Sequence, residues 1–220
     1  MQRLTNQVSK KQWKKMKVMA LEMADAVAIL QPSARFDAMN HAPMLPRCVT
    51  CIIDSFPKEI HAGSVPNGNY KYEVVKGSLV VDIRGNILDF QMHAYGNRHD
   101  GVLWPFHQDS LGWKDWERAL GDMAYELCDG ILTQFVSRRV VTAAEMLCSM
   151  VFGHYRSRVG AVVADLVRHK GLFTHLWGGS MAVLQALMTI EAHATQLHRN
   201  MFGGTRYIEV AGPYAHAPFP

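Results

Sequence analysis

The sequence predicts a mixed α/β domain in which a sheet, antiparallel at one hairpin, is flanked by helices. Three observations carry that prediction. A short run of β-branched and apolar residues, Cys48-Val49-Thr50-Cys51-Ile52-Ile53, has the composition of a buried strand. Two apolar segments separated by Arg84-Gly85-Asn86 have the form of a hairpin. From residue 142 onward the apolar positions recur at helical spacing instead. With 220 residues, 49% of them apolar and 19% charged, the chain suits one core and excludes wholesale disorder.

Taken in order, residues 9–30 carry Trp13, Met16, Ala20, Met23, Val27 and Leu30 at steps of three and four, a helical stripe capped by Ser9 and stopped by Pro32. Five lysines between Lys10 and Lys17 lie off the stripe, as a solvated face would. Residues 31–47, with Pro32, Pro43 and Pro46, suggest a linker. The first strand should end at Asp54, with Pro57 and the Gly/Pro/Asn-rich stretch 62–69 beyond it. Residues 76–83 and 87–94 form the hairpin arms. Residues 113–117 look helical, as do 142–150. The clearest pattern is 156–170, where Val159, Val162, Val163, Leu166 and Val167 make one apolar face and Gly171 supplies a stop. Ser180 then caps a last helix to about residue 200, and 203–220 is rich in Gly and Pro. This divides the chain into an N-terminal helix and linker (1–47), a central domain (48–202) and an irregular tail (203–220).

Composition narrows the function. No run approaches the roughly 18 apolar residues of a membrane helix. The basic N-terminus lacks a secretory apolar core. Four scattered cysteines make no disulfide scaffold, and Cys48-x-x-Cys51 lacks the second pair of a tetrahedral zinc site. Twenty-three Lys and Arg against 19 Asp and Glu give +4, too mild to demand a polyanionic partner. The eleven histidines form no spaced ligand motif, and His99-Asp100 suits a polar turn better than a catalytic pair. No Gly-rich phosphate loop or nucleophile elbow occurs. Two carboxylates remain: Asp54 after a buried strand, and Asp122 after Ala119-Leu120-Gly121 and before Tyr125. Aspartates at strand ends can share a crevice and hold Mg²⁺, although on pattern alone a turn or helix cap suits each better.

Four blocks, in order, resemble the catalytic domain of PIF/Harbinger-type DDE transposases. CIIDSFPKEI (51–60) is similar to the family strand with the first catalytic aspartate. VVDIRGNILDF followed by GNRHD (within 76–100) resembles its hairpin and Gly-x-x-His-Asp signature. LGDMAYELCDGILTQF (120–135) resembles its Leu-Gly-Asp-x-x-Tyr block, and HYRSRVGAVVADLVRHKGLF (154–173) the helix bearing the third acid. The resemblance implies a ribonuclease-H-like fold, a divalent-metal-dependent DNA endonuclease, Mg²⁺ or Mn²⁺ as cofactor, and a nuclear location. It places Asp54 and Asp122 as catalytic metal ligands.

The third acid falls at Gly160, which has no ligand and costs a helix interior roughly 1 kcal/mol relative to alanine. Asp165 lies about 140° further around the helix and Glu145 in the preceding one, so neither replaces it. Metal binding is then weak and catalysis impaired; the alternative is a domesticated, non-catalytic DNA- or protein-binding module. Residues 1–47 carry one amphipathic helix where the family has a helix-turn-helix, so a protein partner would supply sequence-specific DNA binding. Arg156, Arg158, Arg168 and Lys170 are the candidate phosphate contacts, with a solvated helix face as the alternative.

Overall fold

Strand β1 (Val49–Glu59) lies at the centre of a five-stranded sheet in the computed structural model, which describes residues 14–15, 18–19, 33–59, 74–135, 142–168 and 181–202. The others are β2 (Val74–Asp82), β3 (Ile87–Tyr95), β4 (Arg118–Leu120) and β5 (Ile131–Leu132), in the spatial order β3-β2-β1-β4-β5. β1, β2 and β3 pair antiparallel, whereas β1–β4 and β4–β5 are parallel. The chain is thus the mixed α/β domain the sequence predicts, and its sheet is compatible with a ribonuclease-H-like fold. Among the described residues no helix is long and apolar enough to cross a membrane.

The hairpin arms form as expected. The buried Asp82 carboxylate accepts from the Arg84 and Asn86 N–H groups at 2.8 and 2.9 Å, closing the turn. Gly85 takes φ +90° there, a conformation that costs side-chain-bearing residues.

β1 does not end at Asp54 but continues to Glu59, because β2 pairs with it along that whole length, from Cys51↔Asp82 to Glu59↔Val74. Pro57 is tolerated since β4 reaches only Leu120, opposite Ile52. Past that point one edge of β1 has no strand among the described residues, and a missing N–H there breaks no ladder bond.

Besides the helical residues 14–15 and 18–19, the described residues form the helices α1 (Ala34–Ala38), α2 (Trp104–Leu111), α3 (Ala143–Arg168) and α4 (Met181–Phe202). Residues 143–150 and 156–168 of the two expected helical patterns belong to the single helix α3. Its buried face (Val151, Tyr155, Val159, Val162, Leu166) carries the helix through Gly153. Residues 113–117 are a turn rather than a helix; Gly112 ends α2 in the left-handed conformation, at φ +58°.

Nor are residues 31–47 a mere linker. Ala38, Ala42 and Leu45 are buried in the main core. Arg35 is buried too, donating through Nε and Nη2 to the two Glu117 carboxylate oxygens at 2.7 Å each, while Thr50 Oγ1 donates to Oε2 at 2.8 Å. The core therefore starts before residue 48. Of the 9–30 segment, Lys14, Lys15, Val18 and Met19 are helical. Its remainder, Lys170, Gly171, Ser180 and the 203–220 tail lie outside the described residues.

Strand alternation sorts the core into two faces. Ile52, Phe56, Leu79, Phe90 and Leu120 pack with α3 and α4 residues such as Val159 and Met188. Cys51, Ile53, Val80, Leu88 and Ala119 pack with Trp104 and Leu111 of α2.

Candidate functional site

Asp54 shares the phase of Ile52 and Phe56 and so faces α3. Its counterpart on β4 is placed by register. Ile52 pairs with Leu120, and Asp54 and Asp122 each follow by two residues. The chain stays extended into Asp122 (φ −79°, ψ −179°), and the Gly121 N–H donates to the Leu132 carbonyl at 3.0 Å. Leu120 belongs to the same core face as Ile52, so this phase brings both carboxylates to one side of the sheet. Gly121 is required by close packing: a Cβ there would lie 2.8 Å from Ile131 Cγ2 and 3.1 Å from Tyr125 Cβ.

Each acid uses one oxygen locally. Asp54 Oδ1 accepts from the Ser55 N–H at 2.9 Å, and Asp122 Oδ1 accepts from the Ala124 N–H at 2.9 Å, capping the turn Met123–Tyr125. Asp122 is thus a turn cap, as the bland reading of the sequence expects. Burial pushes the Asp54 carboxyl up from the ordinary 3.8 to about 6. The negative charges of Asp122 and, more weakly, Asp100 add to that rise, while the Ser55 N–H and the Arg156 guanidinium oppose it.

Three residues near this end of the sheet carry roles that the sequence pattern did not assign. Asp100 is ion-paired with Lys76 Nζ, which also donates to the Arg98 carbonyl at 2.7 Å. Tyr125 is fully buried, its phenol held well above the ordinary range by burial, with the Ser78 and Ser55 hydroxyls acting against the rise. The signal available for Asp100 and Tyr125 was membership of the Gly-x-x-His-Asp and Leu-Gly-Asp-x-x-Tyr blocks; Lys76 had none. His99 acts as a turn cap, its Nδ1 accepting from the Gly101 N–H at 3.2 Å.

The basic residues do not form one surface. Arg156 is half-buried, and its charge acts on Asp54. Arg158 turns the other way: Nη1 donates to the Ile83 carbonyl, and the guanidinium sits 4.6 Å from the Tyr155 ring centroid. Ile83 is four residues beyond Leu79, the partner of Asp54, and hence about 13 Å along the strand from the acids. Arg158 therefore does not line the approach to Asp54 and Asp122. Arg168 is the last residue of α3; its side chain, like Lys170, is outside the described residues.

Gly160 is exposed, and a Cβ on it would meet nothing within 4 Å. The position expected to open toward the acids lies about 6 Å along the helix from Arg156, and it is Arg156 whose charge reaches Asp54. Asp165 is ion-paired with Arg199 of α4. Glu145 accepts from the Thr142 N–H at 2.8 Å at the start of α3. Neither substitutes for a third acid. Cys51 is fully buried with its thiol pushed up to about 12, and Cys48 packs on the opposite face, so the pair does not converge.

The donor set does not fit a two-ion centre. Among the described residues no three His, Cys, Asp or Glu side chains converge to hold a metal ion. The buried Arg156 Nε, without a hydrogen-bond partner, belongs to a cation whose charge already acts on Asp54. No family model, no curated protein and no solved structure matches this chain.

Proposed function

We propose that this chain is a transposase-derived domain of PIF/Harbinger type, descended from a metal-dependent DNA endonuclease, in which cleavage is impaired. One observation carries the reading: Asp54, inside β1, and Asp122, just past the end of β4, each lie two residues beyond the paired Ile52 and Leu120 of these adjacent parallel strands, and the Asp122 charge acts on the Asp54 carboxyl. Two acids carried by adjacent strands of one sheet can share a divalent ion. Mg²⁺ or Mn²⁺ would be held by these two carboxylates, supplying charge stabilisation to a phosphoryl group; with glycine at 160 the binding is weak. DNA is the expected partner, engaged through its backbone, with sequence specificity supplied by another protein and the nucleus as the site of action.

A second reading, a domesticated DNA- or protein-binding module without catalysis, is favoured by Gly160 and by the Arg156 charge beside Asp54. Calorimetric titration with Mn²⁺ tests the first. Binding should be weak in the native chain and weaker still in Asp54→Asn and Asp122→Asn; identical binding by all three would remove the acid pair and the reading with it. Duplex-DNA binding that falls steeply between low and physiological salt separates a DNA module from a protein-binding one.

A further inference from the structure

We infer that the outward face of α3 is a self-association surface, on which a second copy of this chain docks its own α3 antiparallel as a two-stranded coiled coil. The inference rests on helix packing and is independent of the transposase reading.

A surface helix ordinarily turns one apolar stripe to the core and a charged face to water. α3 carries two uncharged stripes. Val151, Tyr155, Val159, Val162 and Leu166 are buried in the main core. On the outward side two series of period seven interleave, Ala143, Met150, Ser157 and Ala164 with Met146, Gly153, Gly160 and Val167. Together they step by three and four from one end of the helix to the other, the a and d positions of a heptad repeat. None is charged. Gly153 and Ser157 are half-buried and the other six are exposed, Met146 at 55% and Met150 at 56%. The Ser157 hydroxyl already donates to the His154 carbonyl of its own helix, so covering it sacrifices no hydrogen bond.

The order of side-chain sizes selects the occupant. The methionines stand in the first half of the stripe and Gly160 and Ala164 in the second. A parallel pair would set methionine against methionine and leave a gap at Gly160, where a Cβ would meet nothing within 4 Å. Turned antiparallel, a positions face d positions and every layer joins a larger residue to a smaller one. Met150 lies opposite Gly160 of the second copy, Met146 opposite Ala164, Val167 opposite Ala143, and Ser157 opposite Gly153. In the last layer the Gln134 amide, 2.6 Å from where a Gly153 Cβ would stand, fills part of the space. A two-fold interface presents the same patch from both copies, so any charge in it would confront its own kind; this stripe has none.

The area sets the strength. At 1.5 Å per residue the stripe is about 36 Å long, and a third of the circumference of a helix about 10–12 Å wide gives on the order of 500 Å² per copy. The total of about 1,000 Å² is the lower bound for specific association, so the dimer is reversible, with a dissociation constant in the micromolar range.

Sedimentation equilibrium of the full chain from about 1 to 200 μM tests this. Native protein should dimerise reversibly. Met146→Lys and Ala164→Glu change exposed positions and leave the monomer core intact, which circular dichroism verifies. Each should weaken the dimer at least about tenfold, because it buries an unpaired charge twice over. The double variant Met146→Lys/Ala164→Glu should recover it, since antiparallel pairing sets each lysine against a glutamate, whereas parallel pairing sets like against like. A native chain that stays monomeric overturns the inference and leaves the face to a partner of different sequence. A dimer indifferent to both single substitutions overturns it in favour of another surface, and a double variant no stronger than the single ones overturns the antiparallel docking.

Discussion

Replacing Asp54 with asparagine should stabilise the protein at neutral pH, although it removes a charged residue from the candidate site. In the folded protein the Asp54 carboxyl lies at about 6 rather than 3.8, so folding favours its neutral form. A group whose pKa is raised on folding contributes its stability fully below the unfolded value and loses it as pH rises through the folded value. Above about pH 6 the native chain therefore carries a buried charge next to Asp122 that the asparagine variant does not. At 1.36 kcal/mol per unit, the shift corresponds to a ceiling of about 3 kcal/mol; partial exposure of the carboxyl reduces this to about 1–3 kcal/mol. The asparagine side chain keeps an oxygen for the Ser55 N–H, so no hydrogen bond is sacrificed. For a chain of this size 2 kcal/mol is about 4–8 °C in melting temperature. Thermal melts of both proteins in EDTA, from pH 4.5 to 8, should show the gain above pH 6 and its progressive loss below. A variant no more stable than native protein at pH 7.5, or a gain independent of pH, would refute the reasoning.

Two other substitutions probe different parts of the structure. Gly160→Glu meets no steric obstacle, improves helix propensity by several tenths of a kcal/mol, and places a carboxylate four residues from Arg156, at ion-pair spacing. The Mn²⁺-induced rise in melting temperature should exceed that of native protein; a rise no larger would detach α3 from the third-acid block of the transposase pattern. Glu117→Gln leaves the Arg35 guanidinium buried with a neutral partner and should cost about 3–5 kcal/mol in urea denaturation. A loss under about 1 kcal/mol would mean that Arg35 finds water or another acceptor.

The hairpin was legible because turn chemistry is local: Asp82, Gly85 and Asn86 interact within five residues. The face of α3 from Val159 to Leu166 was legible for the same reason, its period being a property of the helix itself. Strand length was not. The end of β1 depends on β2, distant along the chain, and on where β4 stops, so a proline that marks a break in sequence sits inside a strand. The burial of Arg35 was hidden similarly, because its partner Glu117 is 82 residues distant and charged residues pattern as surface.

Sequence alone determined the mixed α/β class, the two aspartates worth examining, and the glycine at position 160, since each is a matter of residue type and local period. Tertiary structure decided the rest. The pairing of Ile52 with Leu120, not spacing in sequence, put Asp54 and Asp122 each two residues past the same point on neighbouring chain segments. Helix packing directed Arg158 to the Ile83 carbonyl, away from the two aspartates. The physical reason is that a helix turns about 100° per residue, so the role of each side chain is set by which face the sheet covers, and that is a long-range property of the packed core.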